Sequence, residues 1–155
     1  MAGHLTSASS KAMKKLSNKR IGIVVSDWNS EVTGALYEGA CHALVASGIV
    51  RKNIYKRSVP GSFELPLAAQ QMAGDKKVDA VIALGCVIRG ETPHFDYICQ
   101  AVAYGIMRVS LDTGKPVAFG VLTALNQSQA LERAGGKLGN KGEEAAVTAL
   151  RMLEK

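Results

Sequence analysis

The sequence has few aromatic residues, few cysteines and no cysteine pair of metal-binding spacing. Aromatic residues make up 5% of the 155 residues. A core must therefore be built from Val, Ile, Leu and Ala, which are typical of parallel sheets and of the helices that cover them. The three cysteines, Cys41, Cys86 and Cys99, are odd in number and form no Cys-x-x-Cys pair. This pattern argues against a disulfide framework and a zinc site, and it favours a reducing compartment.

Long apolar runs are also missing. No segment approaches the roughly 20 apolar residues that a membrane-spanning helix needs. Met1 to Ser10 hold no apolar stretch of signal-peptide length. We therefore expect a cytoplasmic protein without a membrane partner. Mean hydropathy is slightly positive, and in so small a chain this indicates buried subunit interfaces.

Several signatures of catalysis and nucleotide binding are absent. There is no Gly-x-x-x-x-Gly-Lys-Ser/Thr P-loop and no Gly-x-Ser-x-Gly elbow. The glycine-rich run at 136–142 follows a predicted helix, which excludes the strand-first context of a dinucleotide fingerprint. His94 and Cys99 are five residues apart on a predicted helix, which is poor geometry for a shared metal ion.

The net charge of +6 raises the question of nucleic acid binding. Basic residues crowd the amino-terminal 20 residues, whereas most others are spread singly, and no aromatic residues interleave with them to stack on bases. We expect a solvated tail and no nucleic acid partner, and an anionic small substrate would also suit this charge. Residues 1–18 are predicted to form a mobile basic tail or an arm docked on a neighbour, and 19–155 a single domain.

Strands and helices alternate along the remaining chain. Apolar periodicity predicts strands at 20–26, 54–59, 80–88 and 116–122, and helices at 30–47, 62–72, 93–110, 127–134 and 142–153. Such alternation requires right-handed crossovers and a parallel sheet with helices on both faces. We predict an α/β, flavodoxin-like three-layer sandwich whose four strands have the order 2-1-3-4.

Three polar loops, at 27–29, 61–64 and 89–94, fall at the carboxyl edge of this predicted sheet, where ligands of open α/β sheets bind. Trp28 could stack on a flat heterocycle or plug the sheet end, and the pattern favours neither. Glu64 could accept hydrogen bonds from ring N–H groups. On pattern alone, a first-turn acid that complements the helix dipole is favoured.

The loop before the third long helix is predicted to bind an anion. Thr92 is expected to cap this helix and Pro93 to take its first position, leaving backbone N–H groups free at 90–92. His94 is a candidate for proton transfer, although many histidines merely cap or pack. Arg133, at the end of a later helix, is either a solvated charge or a phosphate clamp.

Four separated segments together resemble one enzyme family, the lumazine synthases. They are 59–66, 84–97, 119–123 and 133–142, and the similarity runs from about Ile21 to Leu153. The resemblance implies a transferase of riboflavin biosynthesis. It would condense 5-amino-6-(D-ribitylamino)uracil with 3,4-dihydroxy-2-butanone 4-phosphate to 6,7-dimethyl-8-ribityllumazine, releasing phosphate and water. No metal and no organic cofactor is implied.

The resemblance also implies roles for individual residues. Positions that hold the ribitylaminouracil in the family match Trp28, Ser62, Phe63, Glu64, Cys86, Val87, Ile88 and Phe119. Among them, Trp28 replaces the usual phenylalanine, and Phe119 matches an aromatic supplied across a subunit boundary. Positions that bind the butanone phosphate match Glu91, Thr92 and Arg133, with Glu91 acting through its backbone. His94 matches the proposed proton shuttle.

The family forms pentamers, and some members pack pentamers into icosahedral shells. The compact link 135–142 resembles the uninterrupted form of the shell-forming members, so we predict a shell of identical subunits, with riboflavin synthase as a candidate partner. Two other interpretations stay open: a non-catalytic flavin- or lumazine-binding shell subunit, and a flavodoxin-like phosphate-binding module. The presence of His94, Glu64 and Arg133 favours the enzyme.

Overall fold

The computed structural model describes residues 16–154, and four of their strands form one parallel sheet. The strands are β1 (Ile21–Ser26), β2 (Ile54–Val59), β3 (Ala80–Ile88) and β4 (Val117–Ala124), in the order β2-β1-β3-β4. The predicted order is confirmed. The central strands β1 and β3 are buried on both faces, because they carry runs of Val, Ile, Leu and Ala.

Helices cover both faces of the sheet. They are α1 (Ser30–Ala46), α2 (Leu65–Gly74), α3 (His94–Thr113), α4 (Gln127–Glu132) and α5 (Lys141–Leu153). Alternate β1 residues serve the two faces: Ile23 packs with α1 and α5, whereas Val24 packs with α2 and α3. The three-layer architecture is therefore confirmed. Short 3₁₀ turns at Arg51–Asn53 and Ser62–Glu64 precede β2 and α2.

The ends of several elements differ from the prediction. Helix α2 begins at Leu65 instead of 62, α3 continues to Thr113 instead of 110, and β4 continues to Ala124 instead of 122. Helix α3 begins at His94, one residue later than expected, with Pro93 at the N-cap. The Thr92 hydroxyl accepts a hydrogen bond from the His94 backbone N–H at 3.4 Å. Helix α4 ends at Glu132 because the chain then enters a short hairpin, β5 (Ala134–Gly136) and β6 (Gly139–Asn140).

That hairpin is the compact glycine-rich link. Gly135 and Gly139 have φ of 114° and 78°, which residues with side chains rarely adopt. The expected tight turn with positive φ is confirmed. The hairpin places the start of α5 beside the end of α4, because the Lys141 backbone N–H donates to the Arg133 carbonyl at 2.9 Å.

The first described residue, Leu16, is 1% exposed and belongs to the core on the α1 face. Residues 1–15 of the predicted tail lie outside the described residues. Over 16–154, no helix combines the length and apolarity needed to cross a membrane. The same part of the chain contains no cluster of three or more His, Cys, Asp or Glu suited to a metal ion. All three cysteines are free thiols.

Candidate active site

The loop after β1 is tied to the ends of both neighbouring strands. The Asp27 and Trp28 backbone N–H groups donate to the carbonyls of Val59 and Pro60, at 2.8 and 3.1 Å. Asn29 has a left-handed backbone, with φ of 58°, and its side-chain Nδ2 donates to the Cys86 carbonyl at 3.1 Å. These bonds fix the position of Trp28 above the sheet edge.

The Trp28 indole lies against Gly61 and remains 66% exposed. A Cβ atom at position 61 would stand 2.6 Å from the ring atoms Cε3 and Cζ3, so only glycine allows this approach. The ring is thereby supported along one part and open to solvent over the rest. Phe63, 57% exposed, lies on the same turn as Gly61.

Glu64 is held by its own turn. Its carboxylate Oε2 accepts a hydrogen bond from the Gly61 backbone N–H at 2.9 Å. This bond gives Glu64 a structural role at the start of the 3₁₀ turn. No other donor to this carboxylate is found within residues 16–154, so Oε1 remains available as an acceptor.

Two buried hydroxyls lie beneath this turn. Ser62 Oγ and Ser26 Oγ stand 2.6 and 3.4 Å from where a Cβ at Gly85 would be, and neither has a hydrogen-bond partner among the described residues. Ser62 is 5% exposed as a whole residue, so it lies beneath the turn and not on the loop surface. Sequence reasoning missed Ser26; the available signal was a hydroxyl ending an otherwise apolar strand.

The end of β3 contributes a buried thiol and two half-buried aliphatic residues. Cys86 is 4% exposed, and burial raises the pKa of its thiol to about 11, so it stays neutral at physiological pH. Val87 and Ile88 are half-buried where β3 leaves the core. They form an apolar rim between the Trp28 loop and the loop that follows.

The loop 89–93 and the start of α3 are open to solvent. Glu91, Thr92 and His94 are all exposed. Arg89 is engaged locally: its guanidinium lies 3.2 Å from Asp96 and 5.3 Å from the centre of the Phe95 ring. The backbone of 90–92 precedes a 20-residue helix, whose N-terminal dipole favours anions.

Phe119 and Arg133 lie elsewhere, in a cleft of about 330 Å³ along the free edge of β4. We refer to this as the β4 cleft; it is lined by 119–123 and by Arg133, Lys141, Glu144, Ala145 and Thr148. Arg133 Nη1 donates to the Gln129 carbonyl at 2.9 Å. Phe119 is 46% exposed. The cleft thus combines an aromatic ring with two cations.

Lys141 and its partner Glu144, 2.8 Å away, were missed by sequence reasoning. Lys137 lies closer to Arg133 along the chain. Lys137 is exposed at the hairpin turn and does not line the cleft, whereas the hairpin returns Lys141 to the side of Arg133. The available signal was a lysine at the first position of the last helix.

The two groups of residues are far apart within one chain. Phe119 lies five residues before the end of β4 at Ala124, which is roughly 16 Å at about 3.3 Å per residue. Trp28 and His94 lie at the carboxyl edge itself. In addition, β1 and β4 are separated by β3. Each chain therefore holds the candidate residues in two separate groups, which we call the carboxyl-edge half, with Trp28, Glu64 and His94, and the β4 cleft.

Comparisons with known proteins cover both halves. The family model for 6,7-dimethyl-8-ribityllumazine synthase matches residues 18–155. A curated relative of that name from Cytophaga hutchinsonii is 58% identical over 147 residues, covering 95% of this chain and 92% of the relative. Relatives of the same name from Phocaeicola vulgatus and Porphyromonas gingivalis are 52% and 56% identical, covering 88% and 86% of this chain and 82% and 83% of their own lengths.

Proposed function

Because this chain belongs to the 6,7-dimethyl-8-ribityllumazine synthase family, we propose that the carboxyl-edge half and the β4 cleft of two adjoining copies form its active site. The chain is an enzyme of riboflavin biosynthesis that acts on small molecules. It condenses 5-amino-6-(D-ribitylamino)uracil with 3,4-dihydroxy-2-butanone 4-phosphate. The observation that carries this assignment is the family match over 18–155, which includes every residue of both halves.

The carboxyl-edge half suits a flat, hydrogen-bonding ring. The exposed Trp28 indole offers a stacking surface, and its exposure favours stacking over a plug at the sheet end. Glu64 has Oε2 bound to Gly61, so Oε1 accepts from a ring N–H. Cys86, Val87 and Ile88 border the ring edge, while Ser62 and Phe63 flank the ribityl chain.

Phosphate binding is divided between the halves. Arg133 and Lys141 supply two positive charges in the β4 cleft and Glu144 supplies one negative charge, which leaves a net charge of +1 there. Arginine presents a planar fork that matches phosphate oxygens. From the other copy come the Thr92 hydroxyl and the backbone N–H groups around Glu91, whose side chain is directed to solvent. Phe119 closes the site over the ring of the neighbouring copy.

The reaction has three steps, imine formation, phosphate elimination and ring closure, and each step requires proton transfer. The uracil amine attacks the ketone and water leaves, giving an imine. Loss of a carbon-bound proton then expels phosphate, and the ribitylamino nitrogen closes the ring with loss of a second water. His94, exposed at the start of α3, relays these protons. Positioning of the two reactants supplies a larger part of the reduction in activation free energy, up to roughly 7–11 kcal/mol in ideal geometry.

Assembly into pentamers is part of the proposal, because one chain cannot complete the site. Helix α3 supports it with exposed apolar residues along one face: Tyr97, Tyr104 and Leu111 are spaced by seven residues and are 72%, 62% and 69% exposed. Such a stripe is unfavourable in water and favours burial against another copy. We further propose that pentamers form an icosahedral shell, with riboflavin synthase as a candidate partner. A cytoplasmic location agrees with the free thiols.

The direct test is to incubate the purified protein with both substrates and follow lumazine absorbance. The proposed enzyme forms product and requires both reactants. A non-catalytic binding subunit would bind lumazine without forming it, and a phosphate module of other function would do neither.

A further inference from the structure

The amino-terminal edge of the sheet gathers cations that are scattered in the sequence. Each of the four strands is preceded, within four residues, by at least one lysine or arginine. These residues are Lys19, Arg20, Arg51, Lys52, Lys76, Lys77 and Lys115. Because parallel strands all begin at one edge, the fold concentrates positive charge there.

A cleft of about 510 Å³ lies among them, and we refer to it as the amino-edge cleft. It is lined by Arg20, Lys52, Lys76 and Lys77, by two asparagine side chains, and by one acid, Asp79. It is separate from the proposed active site, since the six residues of β1 place about 20 Å between the two sheet edges.

The acid in this cleft is already engaged. Asp79 Oδ1 lies 3.2 Å from Lys19 Nζ, and its Oδ2 accepts the Arg20 backbone N–H at 2.8 Å. Lys115 is engaged as well, because its Nζ donates to the Asp75 carbonyl, after the last turn of α2, at 2.7 Å. Asp79 and Lys115 are therefore satisfied within the chain.

The four cations that line the amino-edge cleft have no ion-pair partner among the described residues. Within residues 16–154, the ion pairs involve Lys19, Arg89, Arg108 and Lys141, and none involves Arg20, Lys52, Lys76 or Lys77. Four positive charges minus the one on Asp79 give the cleft lining a net charge of +3. The C-terminal dipole of α2 favours a lysine nearby, but it accounts for the residues after that helix and not for Arg20 or Lys52.

We propose that the amino-edge cleft binds a ligand carrying a chain of two or three phosphates. A single phosphate group carries about two negative charges near neutral pH, which is fewer than the four cations present. Arg20 supplies a bidentate fork and the lysines supply point charges. Asn53 Nδ2 already donates to the Ser17 carbonyl at 3.4 Å, so the second N–H of this amide and the Asn18 amide are the neutral donors. None of the lining residues is aromatic, so recognition rests on the phosphates and not on a stacked base.

The test is calorimetric titration of the assembled protein with inorganic tripolyphosphate, in an Arg133→Ala background that removes the main phosphate contact of the active site. One site per chain is expected, with affinity that falls as salt is raised. Adding Lys76→Gln and Lys77→Gln lowers the affinity at least tenfold. The matched control adds Lys137→Gln and Arg151→Gln, two exposed cations outside the cleft, and changes it less than threefold.

Two further ligands define the chemistry. Orthophosphate binds at least tenfold more weakly than tripolyphosphate. A nucleoside triphosphate of equal affinity identifies the phosphate chain as the whole ligand, and one of higher affinity identifies a nucleotide anchored by its phosphates; both support the proposal. Absence of binding in the Arg133→Ala background, or equal losses in the two double variants, overturns it. Lumazine formation by Lys76→Gln/Lys77→Gln remains at the wild-type rate, so this test stands apart from that of the active site.

Discussion

At the residue scale, hydrogen bonds to the backbone orient the side chains that we propose to bind substrate. One carboxylate oxygen of Glu64 accepts a hydrogen bond from the Gly61 N–H, and one guanidinium N–H of Arg133 donates to the Gln129 carbonyl. Each bond orients its side chain and leaves other polar atoms for a ligand. Binding groups held in this way lose less conformational entropy when the substrate arrives.

Substitution of His94 separates the contribution of proton transfer to catalysis from that of substrate positioning. We expect His94→Ala to slow turnover by about 10²–10⁴-fold without abolishing it, because general acid–base help is typically of that size and the substrates are still aligned. Steady-state rates of lumazine formation, on protein shown to assemble normally, provide the measurement. Unchanged turnover would remove His94 from the mechanism.

Arg133 tests the assignment of the phosphate. Arg133→Ala is expected to raise the KM for the butanone phosphate at least tenfold, since it removes a charge-assisted fork, and to change binding of the ribitylaminouracil little. Lys141→Ala shifts the same constant in the same direction. Equal losses for both substrates would instead indicate structural damage to the β4 cleft.

At the scale of elements, the hairpin between α4 and α5 brings Arg133 and Lys141 of the β4 cleft together. Asn140 secures its end: Oδ1 accepts the Gly142 and Glu143 backbone N–H groups, at 2.8 and 3.3 Å, and Nδ2 donates to the Ala35 carbonyl at 3.0 Å. One side chain thus caps α5 and fastens it to α1, directly before Lys141.

Asn140→Ala should therefore cost both stability and substrate affinity. Loss of an N-cap costs roughly 0.5–2 kcal/mol, and loss of the bond to Ala35 adds to this. Asn126→Ala is the matched control, because Asn126 caps α4 through a single bond to the Gln129 N–H. Thermal unfolding at one protein concentration should show the larger loss for Asn140→Ala, with a raised KM for the butanone phosphate. Equal losses would contradict the fastening role.

Alternation of buried strands and helices was sufficient to predict the sheet order and the three layers, because both depend on periodicity and crossover handedness. Contacts that depend on register or on a turn were not predictable. Lys141 is near Arg133 because of a hairpin of only seven residues, 134–140. The seven cations of the amino edge lie on one side of the sheet because all four strands begin there. Asp79 engages Arg20 across 59 residues of sequence.

At the scale of the whole molecule, the exposed α3 stripe and the proposed two-chain site both favour association with neighbouring copies. A closed shell is the larger form that we propose. The compact hairpin, with positive φ at Gly135 and Gly139, fixes how α5 follows α4. The charge of +6 on each chain must be screened by counterions in any such assembly.

Sedimentation of untagged protein at neutral pH and moderate salt measures the assembly. The expected result is a large particle, with added phosphate favouring it over smaller species. A single pentamer-sized species that stays unchanged on adding phosphate would refute the shell and leave the enzyme assignment intact.

If one active site combines residues of two chains, mixed oligomers of two complementary variants recover activity that neither variant has alone. One variant carries Trp28→Ala and His94→Ala, and the other carries Phe119→Ala and Arg133→Ala. Each homo-oligomer is expected to be nearly inactive.

When the two variants are unfolded, mixed in equal amounts and reassembled, about one site in four receives both intact halves if neighbours contribute head to tail. Lumazine formation should then rise to about a quarter of the wild-type rate. If each chain held a complete site, the mixture would show only the mean of the two residual activities, and that result would rule out a site shared between two chains.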